Sequence, residues 1–454
     1  MTRHQKKDRA QVRRFRAGSV CAAAAMTAVV FPAAPAAYAA TVACDTTDLI
    51  NAIITANSGG DNVLNLTSYC LYSLTVDQGS ENGLPPITAS NVIVHGNNAT
   101  IERAPGSPNF RIFNVAGGGG LHLDNLAVVG GSTTTDGGGI LVQSGGALTT
   151  DTVTVQGNRT TRHGGGISVD NGGSAGLTDG RVNDNSSGSE GGGVDAEGDV
   201  TLLRVTVDGN RGLGGGGINT DPGAQTLSIT DSVVKNNVGR EFSGGIDLDA
   251  GNTTISGTRI VDNETPHVAF AGGIFSGSAS TLQITGSTIS GNTAASSSKG
   301  FAGGLDSEGT TTVIDTDITD NKLITPQGTG AGIFQNSGTL TLDHVNVTGN
   351  LASGRYSVGG GIFSRTATAL DISNSHIDRN KVTGTGSFAA GMYNDTTPVS
   401  LTDSTVNNNT APLAPAPGGI WTNVQFTLSG TNTFTGNIPT NCLLSPVIVT
   451  GCVN

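Results

Sequence analysis

Carboxylates at a regular spacing are the residues of this chain best suited to chemistry. Asp221 closes the segment Asn219-Thr220-Asp221, and Asp247 and Asp249 follow about one repeat unit later. Two carboxyl groups held at a fixed separation can act as the acid and the base of glycosidic bond hydrolysis. Such spacing does not by itself select an enzyme. Asp221, Asp247 and Asp249 are the candidate catalytic residues, and Asp195, Asp247 and Asp249 form an alternative candidate site for Ca²⁺.

Large rings recur at one position in the C-terminal half of the chain. Phe334, Phe363, Tyr393 and Trp421 each follow the apolar residue of a Gly-rich motif. If these motifs lie on consecutive coils, the rings form an exposed strip about 15 Å long, which could stack on sugars. They are the candidate ligand-binding residues. The alternative is that a loop, such as residues 411–417, covers the strip.

Other catalytic patterns are missing from the sequence. The seven His residues are scattered, and no Ser/His/Asp, Cys/His or His-Glu-x-x-His arrangement is present. Arg365 shares the outward ladder with Asp249 but lies four repeats away, roughly 19 Å, which is too far for one lyase site. No cofactor is expected, with Ca²⁺ as the open alternative.

The elements that position these residues belong to a repeat with two landmarks per period. A Gly-rich motif followed by an apolar anchor recurs every 24 to 31 residues, and a Val/Ile/Phe-x-x-Asn segment recurs once in each period. The anchors are Ile140, Ile167, Val194, Ile218, Ile246, Ile274, Leu305, Ile333, Ile362, Met392 and Ile420. The asparagines are Asn158, Asn185, Asn210, Asn237, Asn263, Asn292, Asn321, Asn350, Asn380, Asn409 and Asn437.

Each period contains three short β-like pieces and no helical pattern, as residues 244–249, 252–256 and 258–263 illustrate. This predicts an all-β fold, a right-handed single-stranded parallel β-helix of about 13–14 coils. The anchor should point into the coil, and the residues one and three positions after it should face solvent. The glycines should form coil corners and the asparagines should bond between coils, so we expect both landmarks to be structural.

The two ends of the chain differ from the repeats. Residues 1–39 have a basic start, an Ala-rich apolar stretch and the ending Ala37-Tyr38-Ala39, which predicts a signal peptide and a secreted protein. Removal of this segment leaves 16 basic and 34 acidic residues, a formal charge of −18. So acidic a chain is a poor ligand for nucleic acid. No apolar run is long enough to span a membrane.

Caps are expected at both ends of the β-helix. Residues 40–75 should form an N-terminal cap with a helix over 46–56, whose N-cap residue is expected to be Thr46, Thr47 or Asp48. The β-helix itself should cover residues 76–440, and residues 441–454 should close the C-terminal end. In a secreted chain, the four remaining cysteines predict two disulfides, Cys44 with Cys70 and Cys442 with Cys452.

The double landmark resembles the repeat of the polymorphic outer-membrane protein family and, more broadly, the repeats of pectate lyase-like right-handed β-helix proteins. The resemblance covers about residues 130–440, and residues 44–74 are similar to the N-terminal cap common in secreted β-helix proteins. It implies a surface-exposed, adhesive role. The chain ends shortly after Asn437, where that family continues into a membrane domain, so a released monomer is expected. Separately, Asn219-Thr220-Asp221 with Asp247 and Asp249 resembles the carboxylate motifs of polygalacturonase-type hydrolases, which implies the catalytic roles given to Asp221, Asp247 and Asp249, although that family's Gly-His-Gly and Arg-Ile-Lys elements are missing.

Two functional hypotheses follow from the sequence. The first is non-catalytic extracellular adhesion or glycan binding, with an extracellular polysaccharide or a cell surface as partner. The second is a polysaccharide lyase or glycoside hydrolase that acts on an extracellular acidic polysaccharide. The feature that separates them is a convergent site with an acid, a base and a cation. The sequence pattern alone reveals no such site, which favours the first hypothesis.

Overall fold

The computed structural model is a right-handed parallel β-helix of about 14 turns with almost no helix, as the repeat predicts. It describes residues 40–267, 269–413 and 416–453. The predicted signal peptide lies outside the described residues. Each strand pairs in parallel with its equivalent in the next coil.

Three long sheets form the walls of the solenoid. The first sheet, which carries the anchors, contains Phe113–Val115, Ile140–Val142, Ile167–Val169, Val194–Ala196, Ile218–Thr220, Ile246–Ser256, Ile274–Thr285, Leu305–Ser307, Ile333–Gln335, Ile362–Ser364, Met392–Asn394 and Ile420–Thr422. The second sheet contains Ala40–Val42, Val63–Leu66, Val92–Arg103, Gly120–Val129, Ala147–Asp151, Ser174–Thr178, Asp199–Leu203, Thr226–Thr230, Thr310–Ile314, Thr339–Asp343, Ala369–Ser373, Val399–Thr402 and Thr427–Ser429. The C-terminal ends of the long strands Ile246–Ser256 and Ile274–Thr285 also belong to it.

The third sheet starts at Leu71–Leu74 and at the ends of Val92–Arg103 and Gly120–Val129. It continues through Thr154–Gln156, Arg181–Asn183, Thr206–Asp208, Val233–Lys235, Arg259–Val261, Thr288–Ser290, Asp317–Thr319 and Asn346–Thr348. A narrow sheet follows each asparagine corner and contains Ser132–Thr133, Arg159–Thr160, Arg211–Gly212, Val238–Gly239, Glu264–Thr265, Thr293–Ala295, Lys322–Ile324, Leu351–Ser353 and Lys381–Thr383. Three further strands, Ala269–Ala271, Lys299–Ala302 and Gln327–Gly328, form a small outer sheet.

The interior of the coil is filled by the apolar anchors. All eleven are fully buried, and the residue two positions after each anchor is buried as well. Stacking of these side chains along the axis removes apolar surface from water in every coil, and this burial is the main stabilising contribution of the fold. The inward assignment of the anchors is confirmed.

The asparagines form a continuous hydrogen-bonded ladder between coils, as predicted. The Nδ2 group of Asn263 donates to Oδ1 of Asn292 in the next coil, at 3.0 Å, and to the carbonyl of Val234, at 3.0 Å. The same pair of bonds recurs from Asn158 to Asn409, and Asn437 ends the ladder by donating to Asn441. The ladder satisfies amide groups that stacking removes from water.

The Gly-rich motif is required by the close approach of this corner to the next coil. Gly164 has a φ of +65°, a conformation that favours glycine. A Cβ at Gly165 would collide with the carbonyl of Gly192, and one at Gly166 would press on the Asn185 amide. The glycine and asparagine landmarks are therefore two sides of one contact.

Both predicted disulfides are present, Cys44 with Cys70 and Cys442 with Cys452. The cap helix spans Thr46–Asn57, but its N-cap is Asp45 and not one of the three predicted residues. The Asp45 carboxylate accepts hydrogen bonds from the backbone N–H groups of Thr47 and Asp48, which lowers the pKa of this carboxyl group. Among the described residues, no helix is both long and apolar enough to cross a membrane.

Candidate functional site

The outer face of the first sheet is covered, contrary to the expectation that residues next to the anchors face solvent. Asp195 is 1% exposed, Asp306 0%, Phe334 2% and Phe363 5%. Segments between the asparagine corners and the following glycines pack against this face, as the ring contacts of Phe270 with Phe275 and of Phe301 with Phe334 show, and some of them form the small outer sheet. The prediction of an exposed strip is therefore wrong for Phe334 and Phe363, and for these two rings the alternative of a covering segment describes the structure.

The aromatic residues do form the predicted stack. The ring centroids of Phe334 and Phe363 are 5.3 Å apart, those of Phe363 and Tyr393 4.8 Å, and those of Tyr393 and Trp421 4.5 Å. Tyr393 and Trp421 are only half-buried. The accessible part of the strip is thus limited to this C-terminal pair, and its role in ligand binding stays a prediction.

Further rings in the covering segments pack on the stack. Phe301 lies over Phe334 at 4.8 Å, and Phe388 meets Tyr393 and Trp421 at 5.8 and 5.7 Å. Residues 411–417 were the predicted cover, but residues 414 and 415 lie outside the described residues.

On the N-terminal part of the same face, charged side chains from four successive coils converge. Carboxylate oxygens of Asp195, Glu197 and Asp221 and a ring nitrogen of His163 all lie within 4.8 Å of one another. Glu190 lies within hydrogen-bonding distance of Asp221, and Asp249 follows Asp221 one strand along the sheet. These six residues are called the acid–histidine cluster.

Hydrogen bonds hold the cluster in place. The Nδ2 group of Asn219 donates to Asp195, at 3.1 Å, and to Asp221, at 2.8 Å. The Nδ1 atom of His163 lies 3.8 Å from an Asp221 oxygen and 3.8 Å from an Asp136 oxygen. Asn219 therefore fixes two carboxylates from one side, while His163 approaches Asp221 from the other.

Burial and mutual repulsion favour the protonated form of several of these groups. Burial raises the pKa of Glu190, and the nearby Asp221 raises it further. The same two causes, in the same order, raise the pKa values of Glu197 and Asp249. Burial also raises the pKa of Asp195 well above its usual range. Carboxyl groups that keep a proton toward neutral pH can serve as general acids.

The predicted catalytic trio is thus only partly brought together. Asp221 and Asp249 belong to the cluster, whereas Asp247 is 3% exposed and lies below it. A side chain at Gly214 would collide with Asp247 and press on Glu190. Burial, followed by the charge of Asp249, raises the pKa of Asp247 well above its usual range. Asp247 is therefore placed to influence the cluster but not to contact a polymer.

The predicted Ca²⁺ ligands differ from the group with the most suitable geometry for a cation. Among the described residues, His163, Asp195, Glu197 and Asp221 are the group that could hold a metal ion. Asp247 and Asp249 do not belong to it. An imidazole nitrogen suits transition metals better than Ca²⁺, which prefers oxygen ligands. Calcium binding by Asp195, Asp247 and Asp249 stays a prediction.

The sequence interpretation missed the contribution of the position four residues before each anchor. His163 and Glu190 occupy this position, and their side chains reach over the first sheet. Alignment of the residues four positions before the anchors would have revealed the site. These residues change from mostly charged to mostly aromatic along the chain, and the residues one position after the anchors change from mostly polar to mostly aromatic. Those four positions before the anchors include Asp136, His163, Glu190, Phe242, Phe270, Phe301 and Phe388.

Asp306 should make the fold less stable as the pH rises. It lies between Phe275 and Phe334 in the first sheet, fully buried, and its carboxyl oxygens have no hydrogen-bond partner among the described residues. Burial raises its folded-state pKa well above 3.8. The charged form is thus penalised only in the folded state, and the penalty grows as the pH rises from the unfolded pKa through the folded one.

Asp306→Asn should therefore raise the thermal unfolding temperature at pH 8, and the gain should shrink as the pH is lowered toward about 4. The exposed Asp317→Asn variant is the matched control and should show no such trend. A gain for Asp306→Asn that is independent of pH would contradict this account.

Comparison with protein families supports the fold. Residues 138–311 match a family model described as a right-handed β-helix region. Among solved structures, the surface adhesin PfbA of Streptococcus pneumoniae matches with 12% identity over 87% of this chain and 89% of that chain, at a TM-score of 0.28. This similarity is too low to carry an inference about function. A comparison with curated proteins returns no match.

Proposed function

We propose that the protein is an extracellular polysaccharide hydrolase whose reacting groups lie in the acid–histidine cluster. The observation that carries this proposal is the convergence of Glu190, Asp221 and His163 from three successive coils. The cluster supplies an acid and a base, two of the three parts of the site that would separate the enzymatic hypothesis from simple adhesion.

Glu190 is the proposed general acid, because its raised pKa favours the protonated form. It would protonate the glycosidic oxygen as the bond to the anomeric carbon breaks. Asp221 lies too close to Glu190 to act on the opposite face of the sugar, where the base that activates water must stand about 6.5–9.5 Å from the acid. Asp249, the next carboxylate along the sheet, would take a proton from the water that attacks the anomeric carbon. Asn219 and His163 would hold Asp221, whose charge keeps the proton on Glu190.

An elongated polymer suits the layout of this face. The strands of the first sheet repeat every ~4.8 Å along the axis. The coil of Tyr393 lies five intervals from the coil of Asp249, so the half-buried ring pair and the cluster are roughly 24 Å apart. A polysaccharide of several sugars could contact both.

The direct test is incubation of the purified chain with acidic and neutral polysaccharides, with EDTA or with added Ca²⁺. New reducing ends without ultraviolet absorbance of unsaturated products are the expected result. Unsaturated products would show that the enzyme is a lyase and not a hydrolase. Loss of activity in EDTA would show that the cluster binds a metal ion that the reaction requires. Binding of a polysaccharide without any cleavage product would reject the hydrolase and support glycan adhesion, the second candidate function.

Adhesion has its own supporting observation in the ring pair Tyr393 and Trp421, which lie parallel within 6° and are half-buried. If sugars stack here, Tyr393→Ala combined with Trp421→Ala should weaken polysaccharide binding by about tenfold. The thermal unfolding temperature should fall slightly, because the rings also contact Phe388. Titration of a polymer against both proteins measures the change, and unchanged affinity would limit the rings to a packing role.

A further inference from the structure

A second feature of the same coils is a cleft lined by three arginines. It has a volume of about 460 Å³ and is bordered by Arg159, Arg211 and Arg240, with Thr161 and Gly188 between them. Arg159 and Arg211 lie two strands apart in the narrow sheet, roughly 10 Å along the axis, and Arg240 follows in the next coil. We call this the arginine cleft.

The arginines of the cleft are not neutralised by the protein. All three are exposed, and none of the ion pairs among the described residues includes any of them. Arg159 uses its Nε group to donate to Ser132, at 3.0 Å, which leaves its terminal amino groups available. Some nearby cations are paired instead, as Arg162 is with Asp136 and Arg204 with Asp179.

This arrangement is unusual for a protein of such negative charge. Without the predicted signal peptide, the chain carries a formal charge of −18, which repels anionic polymers at long range. A cleft with three unpaired guanidinium groups reverses the sign locally, and each group can bind a carboxylate or a sulfate through two parallel hydrogen bonds.

The cleft adjoins the acid–histidine cluster through shared chain segments. Thr161 is two residues from His163, and Gly188 is two residues from Glu190. We propose that the arginine cleft binds anionic groups, carboxylate or sulfate, of the polysaccharide whose backbone is cleaved at the cluster. This inference rests on the proposed function for its substrate, but the cleft itself can be tested by binding alone.

The test compares the wild-type chain with the Arg211→Gln, Arg240→Gln double variant. The Arg181→Gln variant is the matched control, because Arg181 is an exposed arginine of the third sheet, outside the cleft. Binding and cleavage are measured with a polyuronate, a sulfated polysaccharide and a neutral glucan, and thermal unfolding checks that each variant folds.

For an anionic polymer, the double variant should lose affinity by about tenfold or more, since charge-assisted hydrogen bonds are lost. KM should rise while kcat stays close to that of the wild type. Wild-type affinity should fall with added salt, and this dependence should be weaker in the variant. The preference between polyuronate and sulfated polymer distinguishes carboxylate from sulfate.

The outcomes separate the inference from the proposed function. The inference would be overturned, while the hydrolase proposal stands, if only the neutral glucan is cleaved. It would also be overturned if the double variant loses no more affinity for the anionic polymer than Arg181→Gln does. Arginine-dependent binding of an anionic polymer without cleavage would support the cleft and reject the hydrolase. Neither binding nor cleavage of any polymer would reject both.

Discussion

Replacement of Glu190 by Gln should lower the rate of polysaccharide hydrolysis by about 10²–10⁴-fold, the usual contribution of a general acid. The amide would keep the shape of the side chain but could not deliver a proton to the leaving oxygen. The loss should appear in kcat, because the substrate still binds. Release of reducing ends under saturating substrate measures it.

The pH profile provides the sharper readout. Burial raises the pKa of Glu190, so wild-type activity should decline as the pH rises through this value and the acid loses its proton. The residual activity of Glu190→Gln should lack this alkaline decline. Glu264→Gln, at an exposed position of the narrow sheet, is the control and should keep both rate and profile. A wild-type profile in the Glu190 variant would remove Glu190 from the mechanism.

Asn263→Ala should destabilise the solenoid by about 3 kcal/mol or more. The Asn263 oxygen accepts from the backbone N–H and the side-chain amide of Asn237, and its Nδ2 group donates to Val234. Truncation leaves these buried donors and this acceptor without partners, at about 1–3 kcal/mol for each group. Urea unfolding followed by circular dichroism measures the change.

Asn252→Ala is the matched control, because Asn252 belongs to the same coil but is exposed. It should change stability by less than about 0.5 kcal/mol. A loss below about 1 kcal/mol for Asn263→Ala would mean that water or local rearrangement satisfies the broken ladder. Since a solenoid can unfold in parts, the comparison should use the midpoint of each transition.

The fold could be predicted from the sequence because each coil repeats the same local requirements. The anchor after each Gly-rich motif must be an apolar side chain of a size that fits inside the coil and stacks on the anchors of the neighbouring coils. Asn263 and its equivalents mark a corner where backbone groups are buried. Both signals recur eleven times, so chance similarity is averaged out. The N-cap was less predictable, since Asp45 competes with three adjacent residues that can cap a helix equally well.

The site was harder to predict because it depends on segments that do not repeat exactly. Asp221 and Asp249 were found from their place beside the anchors, but His163 and Glu190 reach the site from the covering segments. The length and path of these segments vary from coil to coil. The same segments bury Phe334 and Phe363, which strand alternation alone assigns to solvent. Alternation indicates the face of a sheet, and it contains no information on what packs against that face.

The solenoid gives the protein a built-in unit of length. Each coil pairs only with the coil before it and the coil after it, so a whole coil could be gained or lost by duplication or deletion in the gene while its neighbours join in the same register. Each such event would change the distance between the acid–histidine cluster and the Tyr393–Trp421 pair by one step of ~4.8 Å. Evolution could thus match this chain to polymers of different repeat length without altering either set of side chains.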